Sequence, residues 1–155
     1  MKKIVQNELI KIAKLHEKRL SYALKKIALL IPFTENKIKE LSDEDIEPIE
    51  LMTSRFSKLH DFIGTKIINL FLDVTLESHE ALSMIDKLNK LERLNILEDK
   101  DTWLEMSELR NHLAHEYPDH PELIALFLNQ TYSYSHQLIE ILKKLLEQIE
   151  RHSIN

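Results

Sequence analysis

The chain has 155 residues, about the size of one domain, with 43% hydrophobic and 30% charged residues, one glycine and four prolines, a balance that suits helices and not a sheet-rich fold. It has no cysteine, which excludes disulfides, thiolate metal sites and cysteine nucleophiles. A formal charge of −5 argues against a sequence-independent nucleic-acid coat, which is normally basic, while leaving room for a small site that handles one phosphate.

After Met1-Lys2-Lys3-Ile4 the chain alternates apolar and charged side chains, and its longest apolar run, Ile27 to Ile31, is too short for a signal peptide or a membrane span. A cytoplasmic protein without membrane contact is therefore expected. Ile4, Ile12, Leu15, Leu20, Leu24, Ile27 and Ile31 recur at helical spacing, and Pro32 closes this first helix. Ser42 with Asp45 three residues on predicts the start of the next one, with Pro48 accommodated in or just before its first turn. Met52, Phe56, Leu59, Ile63, Ile67, Leu70 and Val74 follow at steps of three and four, the seam of a long packed helix. Gly64 interrupts this seam and marks a close helix crossing. A shorter helix is expected from Ala81 to Asn95, and another from Thr102 to Glu116 capped by Asp101 or Thr102. After Pro118, Asp119-His120-Pro121-Glu122 opens a last long helix carried by Ile124, Phe127, Thr131, Tyr134, Leu138, Ile141, Leu145 and Ile149. With no repeat and no Gly/Ser linker, residues 1–155 read as one all-α domain, an antiparallel bundle of about five helices. The regular Leu and Ile stripes read as core, some of them available to a dimer face.

Chemistry concentrates in Arg110-Asn111-His112-Leu113-Ala114-His115-Glu116-Tyr117, directly before Pro118. Trp103, Met106, Arg110, Leu113 and Tyr117 share one face, so a guanidinium lies on or beside an apolar stripe and needs a partner. His115 is about 140° further round an ideal helix from Arg110, stacked instead with Asn111 and Ser107. Convergence of Arg110 and His115 needs one of two devices. Either the helix unwinds before Pro118 and swings His115 round, or a twofold dimer apposes two copies of the motif.

Arg110 and His115 at this spacing, with Asn111 after the arginine and Tyr117 two residues past the histidine, resemble the HEPN superfamily, and the terminal tyrosine resembles its HepT branch. The match covers eight residues, supported by helix order and by the motif's place before the last long helix. The resemblance implies a HEPN-like helical fold and a metal-independent ribonuclease toxin, usually a homodimer, with Arg110 and His115 converging at the dimer groove and Asn111 as the supporting polar residue. It further implies a partner nucleotidyltransferase of the MNT class, an antitoxin that attaches AMP to Tyr117. RNA carries its own nucleophile, the 2′-hydroxyl, so cleavage needs a proton carrier near neutral pH and a cation for the phosphorane, and no metal or other cofactor. His115 suits the first role and Arg110 the second.

Plainer readings stand beside these. Arg110 could form an inter-helix salt bridge, and Tyr117 could be a core ring with a satisfied hydroxyl. His112, His115 and His120 lack the carboxylate or thiolate spacing of a metal site. Arg55, beside the seam of the second helix, reads as solvated or salt-bridged, with phosphate contact as the alternative, and His112 as a helper or surface residue. For the whole chain, the alternative to a nuclease is a catalytically silent helical subunit that binds substrate or scaffolds for the nucleotidyltransferase. A plain structural bundle is a third option.

Overall fold

The computed structural model describes residues 1–75 and 77–153, and these contain helices and turns without a strand. Helix α1 spans Lys2–Ile27 and runs into a 3-10 turn at Ala28–Leu30. Four residues follow to the short helix α2, Glu35–Lys39, whose Thr34 side chain caps the Lys37 N–H. The ammonium group of Lys37 donates to the carbonyls of Leu30 and Pro32 at 3.1 and 3.0 Å, tying α2 to the exit of α1.

Helix α3, Asp43–Phe62, starts where expected, with the Ser42 hydroxyl accepting from the Asp45 N–H. Pro48 lies in its second turn, not its first, because helical geometry begins at Asp43. The seam then passes through a π-helical turn, Ile63–Ile67, into α4, Ile68–Val74. Gly64 sits buried in that turn, where an added Cβ would stand 3.4 Å from the Trp103 ring. That is ordinary van der Waals distance, so the space at this position does not itself require a glycine. Extra helix in this turn re-phases the seam, and π turns of this kind often sit near functional sites.

Helix α5, Met84–Arg93, is shorter at both ends than its apolar pattern suggests. Ser83 and Asp86 form a reciprocal capping box. At the other end Asn95 takes φ 60°, and the N–H groups of Asn95 and Ile96 return to the carbonyls of Glu92 and Leu91, a Schellman stop that asparagine tolerates. Helix α6, Lys100–Leu113, is capped by Asp99, whose carboxylate accepts from Thr102 N–H at 2.7 Å. The expected caps, Asp101 and Thr102, lie inside the helix. At its far end α6 stops at Leu113 and not at Glu116. Pro118 has no N–H to continue the ladder and disfavours helical geometry in the residue before it.

Helix α7, Pro121–Ser153, has its proline in the first position, and the His120 carbonyl accepts from Leu123 and Ile124. It packs against α1, α2, α3, α4 and α6 through Leu128, Leu138, Leu142, Leu145 and Ile149. The Asn129 side chain accepts from Phe33 N–H at 2.7 Å and donates to the Phe33 carbonyl at 2.9 Å, fixing the α1–α2 connection on α7. The expected helical bundle is present, with α2 and the π turn as additions. In α1 the expected apolar series divides. Leu20, Leu24 and Ile27 are buried, whereas Ile4, Ile12 and Leu15 are exposed. No helix among the described residues is long and apolar enough to cross a membrane.

Candidate functional site

Arg110 lies on α6, half-buried, and faces α3. Its Nε donates to both Asp61 carboxylate oxygens at 3.2 and 3.1 Å, and its Nη2 to Oδ2 at 2.9 Å. This fork uses one edge of the guanidinium and leaves Nη1 outside it. Partial burial pushes the Asp61 carboxyl up, but hydrogen bonds from Arg110 and His60, with the charge of both, outweigh it and hold the group below the ordinary carboxylate range. Asp61 is the partner that the stripe position of Arg110 demands. Sequence reasoning missed it, although an acid next to the seam residues Leu59 and Ile63 on a long facing helix was the available signal.

His60 extends the network inward. Its Nδ1 stands 3.1 Å from Asp61 Oδ1 and its Nε2 2.8 Å from Ser107 Oγ, while its ring stacks on Trp103 at 4.6 Å and 21°. Burial lowers its pKa, with Asp61 opposing and Arg110 adding to the lowering. A neutral ring then donates Nδ1–H to Asp61, while its Nε2 and the Trp103 carbonyl share the single Ser107 hydroxyl proton. Ser107, His60 and Asp61 thus stand in the order of a nucleophile, a base and an orienting acid. Their position denies them that chemistry. Ser107 is mid-helix, its hydroxyl also 3.0 Å from the Trp103 carbonyl, and the neighbouring N–H groups are spent in the helix ladder, so no oxyanion could be held there. The trio anchors Arg110.

The end of α6 arranges the other residues. Ala114 closes the helix and the His115 N–H bonds back to the His112 carbonyl at 3.1 Å, so His115 and Tyr117 lie beyond the helix on the segment before Pro118. His115 is exposed. It borders an open cavity of about 330 Å³ together with Thr53, His112, Glu116, Tyr117 and Phe127. His112 stacks on Phe127 at 4.7 Å and 11°, and Tyr117 tilts against the same ring at 5.5 Å. The Tyr117 hydroxyl stands 3.4 Å from His112 Nδ1, and Glu108 is 3.9 Å from the opposite nitrogen. The glutamate is beyond hydrogen-bond reach, so the Tyr117 hydroxyl is the polar partner of the His112 ring.

His115, Tyr117 and His112 therefore meet at one cavity, and Arg110, turned to Asp61, is not among its lining residues. Unwinding before Pro118 occurs, yet within one chain it does not place His115 and Arg110 around the same space. Asn111 is exposed on the last turn of α6. Arg55 enters no salt bridge among the described residues. It is half-buried, and its Nη1 donates to His16 Nδ1 at 3.1 Å, while burial, Arg55 and Lys58 lower the His16 pKa. Among the described residues no three of His, Cys, Asp or Glu gather to hold a metal ion. Compared with family models, with curated proteins and with solved structures, the chain gives no match.

Proposed function

We propose that this chain is a metal-independent endoribonuclease, a toxin of the HepT branch of the HEPN superfamily. The observation that carries the reading is the motif at the α6 exit, which puts an exposed imidazole, His115, and a phenol in contact with His112, Tyr117, on one cavity and an oriented guanidinium, Arg110, on the last turn of α6. In the reaction His115 takes the 2′-hydroxyl proton, the 2′-oxygen attacks phosphorus as the bond from phosphorus to the 5′-oxygen breaks, and the 5′-oxygen leaves with a proton from water. The products are a 2′,3′-cyclic phosphate and a 5′-hydroxyl. The Nη1 edge of Arg110, outside the Asp61 fork, stabilises the phosphorane. Because Arg110 and His115 do not share a cavity in one chain, a second copy supplies the complementary group at a shared groove, which makes the working form a homodimer in the cytoplasm.

Tyr117 is the control point. A partner nucleotidyltransferase antitoxin joins its oxygen to the α-phosphorus of ATP, pyrophosphate leaves, and His112 takes the phenol proton. The AMP adds bulk and negative charge beside His115 and repels RNA. The second reading, a silent subunit that binds substrate or scaffolds for the transferase, is favoured by the Arg110–Asp61 fork, which satisfies the guanidinium without any substrate.

The two readings part in one experiment. Unmodified protein, its intact mass excluding AMP, is incubated with total RNA in EDTA beside Arg110→Ala and His115→Ala variants of verified helicity. The expected result is chelator-resistant cleavage leaving cyclic-phosphate ends, reduced about a hundredfold or more in either variant. Intact RNA in all three samples selects the silent subunit.

A further inference from the structure

Helix α1 carries two apolar faces. Ala13, Leu20, Leu24 and Ile27 enter the core of its own chain. A separate row, Val5, Glu8, Ile12, Leu15, Arg19 and Tyr22, recurs at steps of three and four and is exposed throughout, with Val5 and Tyr22 at 55% and Ile12 and Leu15 at 39% and 45%. Spacing of this kind over almost three heptads is a coiled-coil seam, with Val5, Ile12 and Arg19 as one set of core positions and Glu8, Leu15 and Tyr22 as the other. At 1.5 Å per residue it is roughly 26 Å long.

The two charges in the seam identify its occupant. We infer that it pairs antiparallel, about a twofold axis, with the same helix of a second copy. In an antiparallel coil each layer takes one residue from each set. Centring the axis between Ala13 and Lys14 puts Ile12 on Leu15 of the second copy, Val5 on Tyr22, and Glu8 on Arg19. All six layers close at once, and Glu8 meets Arg19 in two of them. No ion pair within the chain engages Glu8 or Arg19 among the described residues. A parallel pairing would set Glu8 on Glu8 and Arg19 on Arg19, and a lipid surface would have to desolvate Glu8 in the middle of the stripe. Lys11 and Lys18 border the seam on one edge, where their stems cover apolar surface while their ammonium groups stay in water.

This contact differs from the groove at the α6 exit. Helix α1 packs on α3 and α7 while α6 packs on α3, α5 and α7, and no α1 residue lines the cavity that holds His115 and Tyr117. The pairing leaves that cavity open in both copies and stands independently of the ribonuclease reading.

The test is sedimentation equilibrium on the full chain and on Glu8→Arg, Arg19→Glu and the double reversal, with helicity checked by circular dichroism. Each single reversal sets two like-charge layers in the dimer and is expected to raise Kd about tenfold or more, and the double reversal to return it to within about threefold. The cysteine-free chain allows a second readout, in which Ile12→Cys protein mixed with Leu15→Cys protein forms the mixed disulfide in preference to either like pair. Three outcomes overturn the inference: a monomer at every concentration, which leaves a membrane or another protein for the seam; a dimer indifferent to both single reversals; or preferred disulfides between like copies.

Discussion

Arg110 shows how much of a motif is decided by its surroundings. Its charge is held by a carboxylate on another helix, that carboxylate by a buried imidazole, and the imidazole by a serine and a tryptophan on the arginine's own helix. Within this loop His60 responds to pH. Burial lowers its pKa below the usual 6.5, so the unfolded chain takes up that proton before the folded one does. The stability this contributes is complete above about pH 6.5 and is lost as pH falls through the window between the unfolded and folded values. His16 is shifted in the same direction and adds to the loss, and Asp61, lowered below its usual 3.8, extends it at more acid pH. Thermal melts from about pH 7.5 down to about pH 5.5 are expected to show a falling Tm. The fall should be smaller in His60→Gln than in the parent protein. An equal slope in both would remove His60 from the account.

At the scale of elements, helix ends carry the information that apolar periodicity lacks. Asp99 and Asp101 stand two residues apart before the same helix, and either could cap it by composition. Asp99 does so, with the Lys100 N–H satisfied by Glu92 at 2.7 Å, so the preceding helix helps to choose the cap. Replacing Asp99 with alanine is expected to cost about 1 kcal/mol in chemical denaturation, and replacing Asp101 less than about 0.5 kcal/mol. Equal losses would place the start of α6 later than described. The far end of α6 matters more for function. Stopping at Leu113 sets His115 and Tyr117 outside the helix, where their directions follow the segment before Pro118 and no longer the helical period.

For the whole molecule, α7 is the common wall against which α1, α2, α3, α4 and α6 are assembled. A residue that touches several of these neighbours leaves a cavity which no single helix can move to fill. Leu142→Ala, at a fully buried position, is expected to destabilise the fold by about 2–5 kcal/mol. Leu104→Ala, on the exposed side of α6, should change stability by less than about 0.5 kcal/mol. Denaturant unfolding of the two variants measures the difference, and similar losses would contradict the central place of α7.

The helical class, the bundle, the long helical run from Asp43 to Val74, the long last helix and the Ser42 start were legible in the sequence because they depend on local spacing, and that spacing decides which side chains share a face. The candidate site was legible as residue types at a spacing, Arg110 to Tyr117, and no further. The Asp61 partner, the His60–Ser107 anchor, the His112–Tyr117 contact and the separation of Arg110 from the cavity of His115 depend on which helices cross and where α6 unwinds. So does the division of α1 into a buried and an exposed stripe. Periodicity shows that a face is apolar, but what covers it is decided by the position of the other helices.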